Sequence, residues 1–224
     1  MTTLRIRFAT TNVPESRKRG LLTDRIKRAA RVMRFYGNKG IDVCALQEAG
    51  TYAEQAETPR HKALWAQFND IVRGRQVGNG VVVNRWRWKS LLLSDVTVGQ
   101  GDDAVHIAAV LITERPTRGR DPFRFKFYAA HRPTRRAANA NLRPVIDSVL
   151  KEHTKRDDAA DMPWVIAGDM NVSPWNPVGG RVLGSHGVDH VVSSRDFEPL
   201  GQQVYDRPLL SDHAFLVADA VVEV

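Results

Sequence analysis

The sequence contains little cysteine and no long apolar run. Its 224 residues include one cysteine, Cys44, so an internal disulfide is excluded. Cys44 lies in the apolar segment IDVCAL, which is typical of an inert core thiol in a reducing compartment. No apolar run approaches the ~20 residues that a membrane-spanning helix needs, and the first residues, MTTLRIRFATTN, lack the apolar stretch of a signal peptide. We therefore expect a soluble, cytoplasmic protein.

No internal boundary divides the chain. Serine- and glycine-rich linkers, repeats and breaks in composition are absent from the sequence, and 42% of the residues are hydrophobic, which suffices for one substantial core. The most polar segment, EHTKRDDAAD at 152–161, is short enough for a surface loop. The sequence predicts a single domain over residues 1–224.

Two kinds of catalytic centre are excluded by missing motifs. No Cys/His cluster has the spacing of a zinc site, and no G-x-S-x-G segment is present that would make Ser211-Asp212-His213 part of a serine-hydrolase triad. We interpret His106, His153, His186 and His190 as structural or surface residues. Trp86 and Trp88 alternate like one face of a strand, which favours packing or an exposed edge over a base-stacking platform.

Basic residues are abundant. Lys and Arg outnumber Asp and Glu by 33 to 25, which gives a net charge of +8 and a pI near 10.0. This excess favours phosphate-bearing partners or anionic membrane surfaces. The basic residues concentrate in SRKRG (16–20), RIKRAARVMR (25–34), RGR (73–75) and HRPTRR (131–136).

Apolar periodicity predicts an α/β fold. Leu4, Ile6 and Phe8 alternate as in a strand, whereas Leu22, Ile26 and Met33 follow helical spacing. A second helix is predicted from Leu142, Val145, Ile146, Val149 and Leu150, and further strands are predicted at IDVCALQ, GVVVNR, AVHIAAVLIT, FRFKFYAA, PWVIAG, DHVVSS and HAFLVADAVV. Because several strands follow one another without a helix, two packed sheets with helices on their outer faces fit this order.

Polar residues recur where these strands begin or end. They are Asn12, Glu48, His131, the pair Asp169 and Asn171, Asp189, and the run Ser211-Asp212-His213. Taken singly, each has a simpler explanation: GDMN at 168–171 suits an Asx-type turn, and Glu48 suits a solvated strand end. Six strand ends with groups able to bind metal, phosphate or a proton favour a shared site.

The motifs TNV (11–13), LQE (46–48), AAH (129–131), GDMN (168–171), VDHVV (188–192) and SDH (211–213) resemble the successive motifs of the endonuclease/exonuclease/phosphatase superfamily. That superfamily includes pancreatic deoxyribonuclease, abasic-site endonucleases, inositol-polyphosphate phosphatases and neutral sphingomyelinases. The resemblance covers residues 11–213. It implies a four-layered α/β sandwich, with two central mixed β-sheets flanked by helices and a site at one edge of both sheets.

Phosphodiester hydrolysis explains these residue types. Glu48, with Asn12 and Asp212, offers the hard oxygen ligands that suit Mg²⁺ or Mn²⁺. His213 is the expected general base, with Asp189 holding its tautomer, a pairing that the resemblance also implies. Asp169 and Asn171 are expected to orient the water and hold a phosphoryl oxygen, and His131 to donate a hydrogen bond or proton to the phosphate or leaving group.

Departures from the family motifs bear on the substrate. Val13-Pro14 follows Asn12 where abasic-site endonucleases carry a second acidic residue, and His131 replaces their tyrosine, which favours the deoxyribonuclease or sphingomyelinase side. GVDHVV and GDMNVSP differ from the corresponding runs of inositol phosphatases. Pro174-Trp175 after GDMN is similar to bacterial members without an assigned substrate.

Three functional hypotheses follow. The first is a metal-dependent DNA endonuclease of low sequence specificity, monomeric and without a protein partner, in which Arg132, Arg135 and Arg136 contact flanking phosphates. The second is a phosphodiesterase or phosphatase acting on lipid headgroups or small phosphorylated metabolites. The third, a nucleic-acid-binding or scaffold protein with an inactive site, is disfavoured because every expected metal-binding and proton-transfer residue is present.

Overall fold

A computed structural model describes residues 2–12, 37–47, 74–77, 81–99, 105–117, 119–135, 137, 139–206 and 213–224. The predicted helix of Leu22 to Met33 lies outside these ranges, as do three predicted site residues, Glu48, Arg136 and Asp212. No helix in the described ranges is both long and apolar enough to cross a membrane.

The described residues form twelve strands and one α-helix of 17 residues. The strands are β1 (Thr3–Asn12), β2 (Val43–Gln47), β3 (Gly74–Val77), β4 (Val81–Asn84), β5 (Trp88–Val98), β6 (Val105–Glu114), β7 (Arg124–His131), β8 (Trp164–Asp169), β9 (Arg181–His186), β10 (Asp189–Ser193), β11 (Phe197–Tyr205) and β12 (Phe215–Glu223). The helix, α1, spans Arg143–Ala159.

The twelve described strands form the two six-stranded mixed sheets of the sandwich. Their strand orders are β11-β12-β1-β2-β4-β3 and β5-β6-β7-β8-β10-β9. Each sheet contains one parallel pair, β1 with β2 and β7 with β8, and all other neighbours are antiparallel. The predicted fold class, an α/β sandwich with two central mixed sheets, is confirmed.

The parallel pairs determine where the polar strand ends meet. In the first sheet Asn12 is in register with Gln47, and in the second His131 is in register with Asp169. Because parallel strands run in the same direction, their carboxyl ends lie at one edge. The antiparallel neighbour β10 begins at that edge, with Asp189 opposite Asp169.

Aromatic side chains fill the space between the two sheets. The ring of Phe8 on β1 lies 5.8 Å from Phe125 and 6.3 Å from Phe127 on β7, and 5.7 Å from Phe197 on β11. Phe8, Phe125, Phe127 and Phe197 are all fully buried. The alternating apolar residues of the sequence therefore form the interface that holds the two sheets face to face.

Helix α1 covers the outer face of the second sheet. Ile146 and Leu150 are fully buried there, in one apolar cluster with Trp164 and Ile166 of β8. The prediction of a surface loop at 152–161 was wrong for most of the segment, because α1 continues to Ala159. The charged residues of this segment lie largely on the solvent-facing side of α1. A high content of polar residues therefore does not distinguish this part of the helix from a loop.

Gly168 in β8 illustrates how closely the site strands pack. A Cβ atom at this position would lie 1.8 Å from the carbonyl oxygen of Ala130, its register partner on β7. We expect Gly168→Ala to cost about 3 kcal/mol or more, since a backbone atom rather than a flexible side chain must move. The shift would also separate His131 from Asp169, the next register pair.

A urea titration and an assay of turnover check this prediction. Gly40→Ala is the control, because Gly40 has a φ of 65° and no atom within 4 Å of an added Cβ. That variant should lose about 1 kcal/mol from backbone strain and keep its turnover. Equal losses of stability and turnover in both variants would contradict the proposed close approach.

Candidate active site

The strand edge collects side chains from four strands and the segments beside them. Asn12 ends β1, His131 ends β7, Asp169 ends β8 and Asp189 begins β10, with Asn171 and His213 in the adjoining segments. These are the six predicted site residues, apart from the arginines, that the described ranges contain.

Asp169 is the central carboxylate of this edge. Its side chain is buried, and its Oδ2 atom lies 3.4 Å from Asn12 Nδ2, which donates to it. The same oxygen lies 3.7 Å from His131 Nε2 and 3.7 Å from His213 Nε2. Two imidazoles, one at the end of β7 and one in the segment before β12, therefore face one carboxylate oxygen.

His213 also approaches a second carboxylate. Its Nδ1 atom lies 3.4 Å from Oδ2 of Asp189, a distance at which a hydrogen bond is long. Burial raises the pKa of Asp189 above its ordinary value, the hydrogen bond with His213 opposes this rise, and the charge of Asp169 adds to it. Asp189 in this place can hold the Nδ1–H tautomer of His213, which leaves Nε2 as the proton acceptor.

The GDMN segment forms both a turn and part of the site. The backbone N–H of Asn171 donates to Asp169 Oδ1 at 2.9 Å, which is the Asx turn considered for this segment. Asn171 has a φ of 50°, and its Nδ2 donates to the carbonyl oxygen of Arg132 at 2.6 Å and lies 3.5 Å from His131 Nε2. The turn thus places the amide of Asn171 beside His131.

One group of described residues could hold a metal ion. Ligand atoms of Asp169, Asp189 and His213 all lie within 4.8 Å of one another. The second carboxylate oxygen of Asp189, Oδ1, is buried and has no hydrogen-bond partner in the described part of the chain. Carboxylate oxygens so placed fit a divalent cation. Of the predicted ligand set, Asn12 lies beside this group, whereas Glu48 and Asp212 fall outside the described residues.

The arginines after His131 have different surroundings. Arg132 donates from Nη2 to Asp147 Oδ2 at 2.7 Å and from Nη1 to the carbonyl oxygen of Met170 at 3.5 Å, and its side chain is 11% exposed. Arg135 is exposed to solvent. Of the two arginines of this run that the structure describes, Arg135 is therefore the one open to a ligand in solution.

Two residues with contacts to the site were missed by sequence analysis. Arg143 donates to the carbonyl oxygen of Asn171 at 3.3 Å, and His190 is 2.8 Å from the carbonyl oxygen of Val172. His190 was interpreted as structural or surface; it is buried, and burial lowers its pKa. The sequence signal for His190 was its position next to Asp189 in the VDHVV motif. No motif in the sequence pointed to Arg143 as a residue near the site.

Solved structures share the fold. A family protein from Bacteroides thetaiotaomicron is 12% identical, with a TM-score of 0.68 over 100% of this chain and 97% of that chain. One from Bacteroides vulgatus is 14% identical, with a TM-score of 0.67 over 98% and 100%. TDP2 from D. rerio, complexed with a single strand DNA product, is 13% identical, with a TM-score of 0.65 over 96% and 98%.

The sequence matches no curated protein. Residues 9–213 match the family model of the Endonuclease/Exonuclease/phosphatase family, a span that includes every side chain of the site described above. The chain belongs to the endonuclease/exonuclease/phosphatase family.

Proposed function

We propose that the chain is a divalent-metal-dependent phosphodiesterase that cleaves DNA with little sequence preference. The observation that carries the proposal is the position of Asp169 Oδ2, 3.7 Å from Nε2 of both His131 and His213. A separation of 3.7 Å is longer than a direct hydrogen bond, so a water molecule or phosphoryl oxygen lying beside the three groups can bridge them. A proton acceptor, a proton donor and a carboxylate then surround one small volume.

Each residue has a role in the proposed reaction. His213, oriented by Asp189, takes the proton of the attacking water. Asp169 orients that water, and the Nδ2 amide of Asn171 donates to a phosphoryl oxygen. His131 donates a hydrogen bond or a proton toward the leaving oxygen, which develops negative charge as the bond breaks.

A Mg²⁺ or Mn²⁺ ion would neutralise phosphate charge at this site. Glu48, Asn12 and Asp212 are the ligands that we propose from the sequence, and of these Asn12 lies 3.4 Å from Asp169 Oδ2 in the fold. Oδ1 of Asp189 is buried and has no hydrogen-bond partner among the described residues, which supports a cation beside this carboxylate.

DNA is the proposed substrate because of charge. The chain carries a net charge of +8, and Arg135 is exposed four residues after His131 in the run HRPTRR. The complex of D. rerio TDP2 with a DNA product supports the same substrate class. We place the enzyme in the cytoplasm as a monomer without a protein partner.

A gel assay tests the proposed activity. Supercoiled, linear, single-stranded and abasic DNA are incubated with the chain in Mg²⁺, with and without EDTA, beside sphingomyelin and inositol phosphates. We expect EDTA-sensitive cleavage of DNA. Hydrolysis of the lipid or the inositol phosphates with intact DNA would favour the competing hypothesis, and no hydrolysis of any substrate or of a bis-aryl phosphodiester would indicate an inactive scaffold.

The double variant Arg135→Ala/Arg136→Ala tests the polynucleotide contact. If both side chains bind flanking phosphates, DNA binding should weaken and the slope of log K against log salt should fall by up to ~0.9 per lost contact. Cleavage of a small aryl phosphodiester should stay nearly unchanged, because that substrate has no flanking phosphate.

The matched control is Lys155→Ala/Arg156→Ala, which removes the same charge from two exposed positions near the end of α1. It should leave the salt slope unchanged. An equal loss of slope in both double variants would assign the effect to net charge, and an unchanged slope in the first would exclude the proposed contact.

A further inference from the structure

The loop Asp169–Val172 has every one of its carbonyl oxygens held by a hydrogen-bond donor. Asp169 O accepts from the Arg132 backbone N–H at 2.9 Å, and Met170 O accepts from Arg132 Nη1 at 3.5 Å. Asn171 O accepts from Arg143 Nη2 at 3.3 Å, and Val172 O from His190 Nε2 at 2.8 Å. Four consecutive carbonyls are thus bound by three residues from other parts of the chain.

We propose that Arg132, Arg143 and His190 are positioning residues that hold the loop Asp169–Val172 in the geometry needed for the reaction. The inference rests on the proposed function, because it assigns these residues to the orientation of Asp169 and Asn171. Arg132 thereby acts through the loop, whereas the sequence had assigned it to the substrate.

Arg143 is an unusual residue to find buried. It is the first residue of α1, it is 8% exposed, and its Nη1 atom has no hydrogen-bond partner among the described residues. Burial lowers its pKa, and the charges of Arg132 and Arg135 lower it further. Among the described residues no carboxylate forms an ion pair with this guanidinium, although the charge of Asp147 acts to raise its pKa. A desolvated guanidinium in such a place destabilises the fold. The hydrogen bond from Arg143 to Asn171 O explains why an arginine occupies this buried position despite its destabilising effect.

His190 holds the far end of the loop. Val172 O can only accept, so His190 Nε2 carries the proton, and Nδ1, 3.0 Å from Ser185 Oγ, accepts from that hydroxyl. The imidazole is buried and lies 6.2 Å from the ring of Trp175. Both ring nitrogens are occupied by protein partners, so the hydrogen bond from the His190 ring toward the loop goes to Val172.

Asp147 links the loop to helix α1. Its Oδ2 accepts from Arg132, and its Oδ1 accepts from Trp175 Nε1 at 3.0 Å. This carboxylate fixes the guanidinium of Arg132 at one end and the residues after Val172 at the other.

The loop needs this support because of the backbone of Asn171. A φ of 50° lies in the left-handed region, which asparagine adopts more readily than other non-glycine residues but which is still sparsely populated, and it persists where neighbouring contacts over-determine it. With the donors removed, Asn171 can relax and carry its side-chain amide away from His131. A displacement of about 1 Å at such a group can cost ~10²-fold in rate.

The test compares turnover and substrate affinity in variants that lose or keep a donor. With a small aryl phosphodiester in Mg²⁺, Arg143→Met and His190→Leu should lower kcat by roughly 10–100-fold and change KM by less than about threefold. Arg143→Lys and His190→Gln retain a donor and should recover part of kcat. Arg181→Met is the control, because Arg181 donates to the carbonyl oxygen of Phe197 at 3.0 Å, outside the site; its kcat should be unchanged.

A double-mutant cycle separates positioning from general loss of stability. In the Asn171→Ala background, Arg143→Met should lower kcat little further, since the group that it positions is already gone. Additive losses, or losses in KM alone, would overturn the proposal. Should Arg143→Met fail to fold, His190→Leu with its His190→Gln rescue makes the same comparison.

Hydrogen exchange of the Asn171 amide gives a readout without activity. This N–H is bonded to Asp169 Oδ1, and its protection should fall in Arg143→Met and His190→Leu but not in Arg181→Met. Unchanged protection would overturn the positioning role. If the variants lose protection but the wild type hydrolyses no phosphodiester, the proposed function is rejected, whereas the role of these residues in holding the loop is retained.

Discussion

His213→Ala is expected to lower kcat by about 10²–10⁴-fold, the range for loss of a general base. The imidazole stands between two buried carboxylates, with Nδ1 3.4 Å from Asp189 Oδ2 and Nε2 3.7 Å from Asp169 Oδ2. Alanine removes the group that we propose as the acceptor of the proton of the attacking water. A steady-state assay with a small aryl phosphodiester measures the effect without any contribution from polymer binding.

The pH profile identifies the role of His213. In the wild type, kcat/KM should fall as the pH drops through the titration of the imidazole, because a protonated ring cannot accept a proton. This acidic limb should disappear in His213→Ala. His153→Ala is the control, since His153 lies on α1 against Tyr128 and outside the site. A His213→Ala variant with more than about a tenth of wild-type kcat would exclude a general-base role.

Asp189→Asn tests the partner of this base. In the proposed reaction its carboxylate stabilises the imidazolium that forms as His213 takes a proton. Asp189→Asn should therefore lower kcat when His213 is present and have little further effect in His213→Ala. Independent, additive losses would show that Asp189 acts through some group other than His213.

Glu48→Gln is expected to keep the fold and to lose activity by several orders of magnitude, with little recovery in excess Mg²⁺. Glu48 follows Gln47, which ends β2 in register with Asn12 at the site edge. The substitution keeps the shape of the side chain and removes its charge, so the loss reports on metal binding and phosphate neutralisation. Calorimetric titration with Mg²⁺ should show weaker binding in parallel.

The control for this variant is Glu152→Gln, which changes a carboxylate that is 58% exposed on α1. Its activity and its Mg²⁺ affinity should equal those of the wild type. A Glu48→Gln variant that remains active and is insensitive to EDTA would remove Glu48 from the metal site.

The apolar pattern of the sequence predicted the interior of both sheets. The eight predicted strands correspond to β12, β1, β2 and β4 in the first sheet and to β6, β7, β8 and β10 in the second. Among the strands that the structure describes, the pattern missed four, β11, β3, β5 and β9, and these stand at the ends of the two strand orders. An interior strand is covered on its faces and must be apolar there, whereas an edge strand has no such requirement.

Two edge segments show how the pattern fails. Among the nine residues of β11 only Phe197 is buried, and the apolar run Leu91–Leu93 of β5 is exposed. Trp86 and Trp88 have different surroundings. Trp86 lies in the turn before β5 and is 66% exposed, whereas Trp88 begins β5, is buried and donates from Nε1 to Asp42. Their alternation in sequence did not place them on one strand face.

The sequence by itself determined which residues could do the chemistry, because Asn12, His131, Asp169 and Asp189 stand where predicted interior strands begin or end. Only the tertiary structure decided their contacts. The 3.7 Å approach of His213 to Asp169 depends on the face-to-face packing of two sheets, and the bond from Arg143 to Asn171 on how α1 crosses the second sheet. The ends of strands follow from the local periodicity of the sequence. Contacts between residues that are 28 or more positions apart in the sequence depend instead on strand register and packing. A slip of one residue in the register turns a side chain to the opposite face of the sheet.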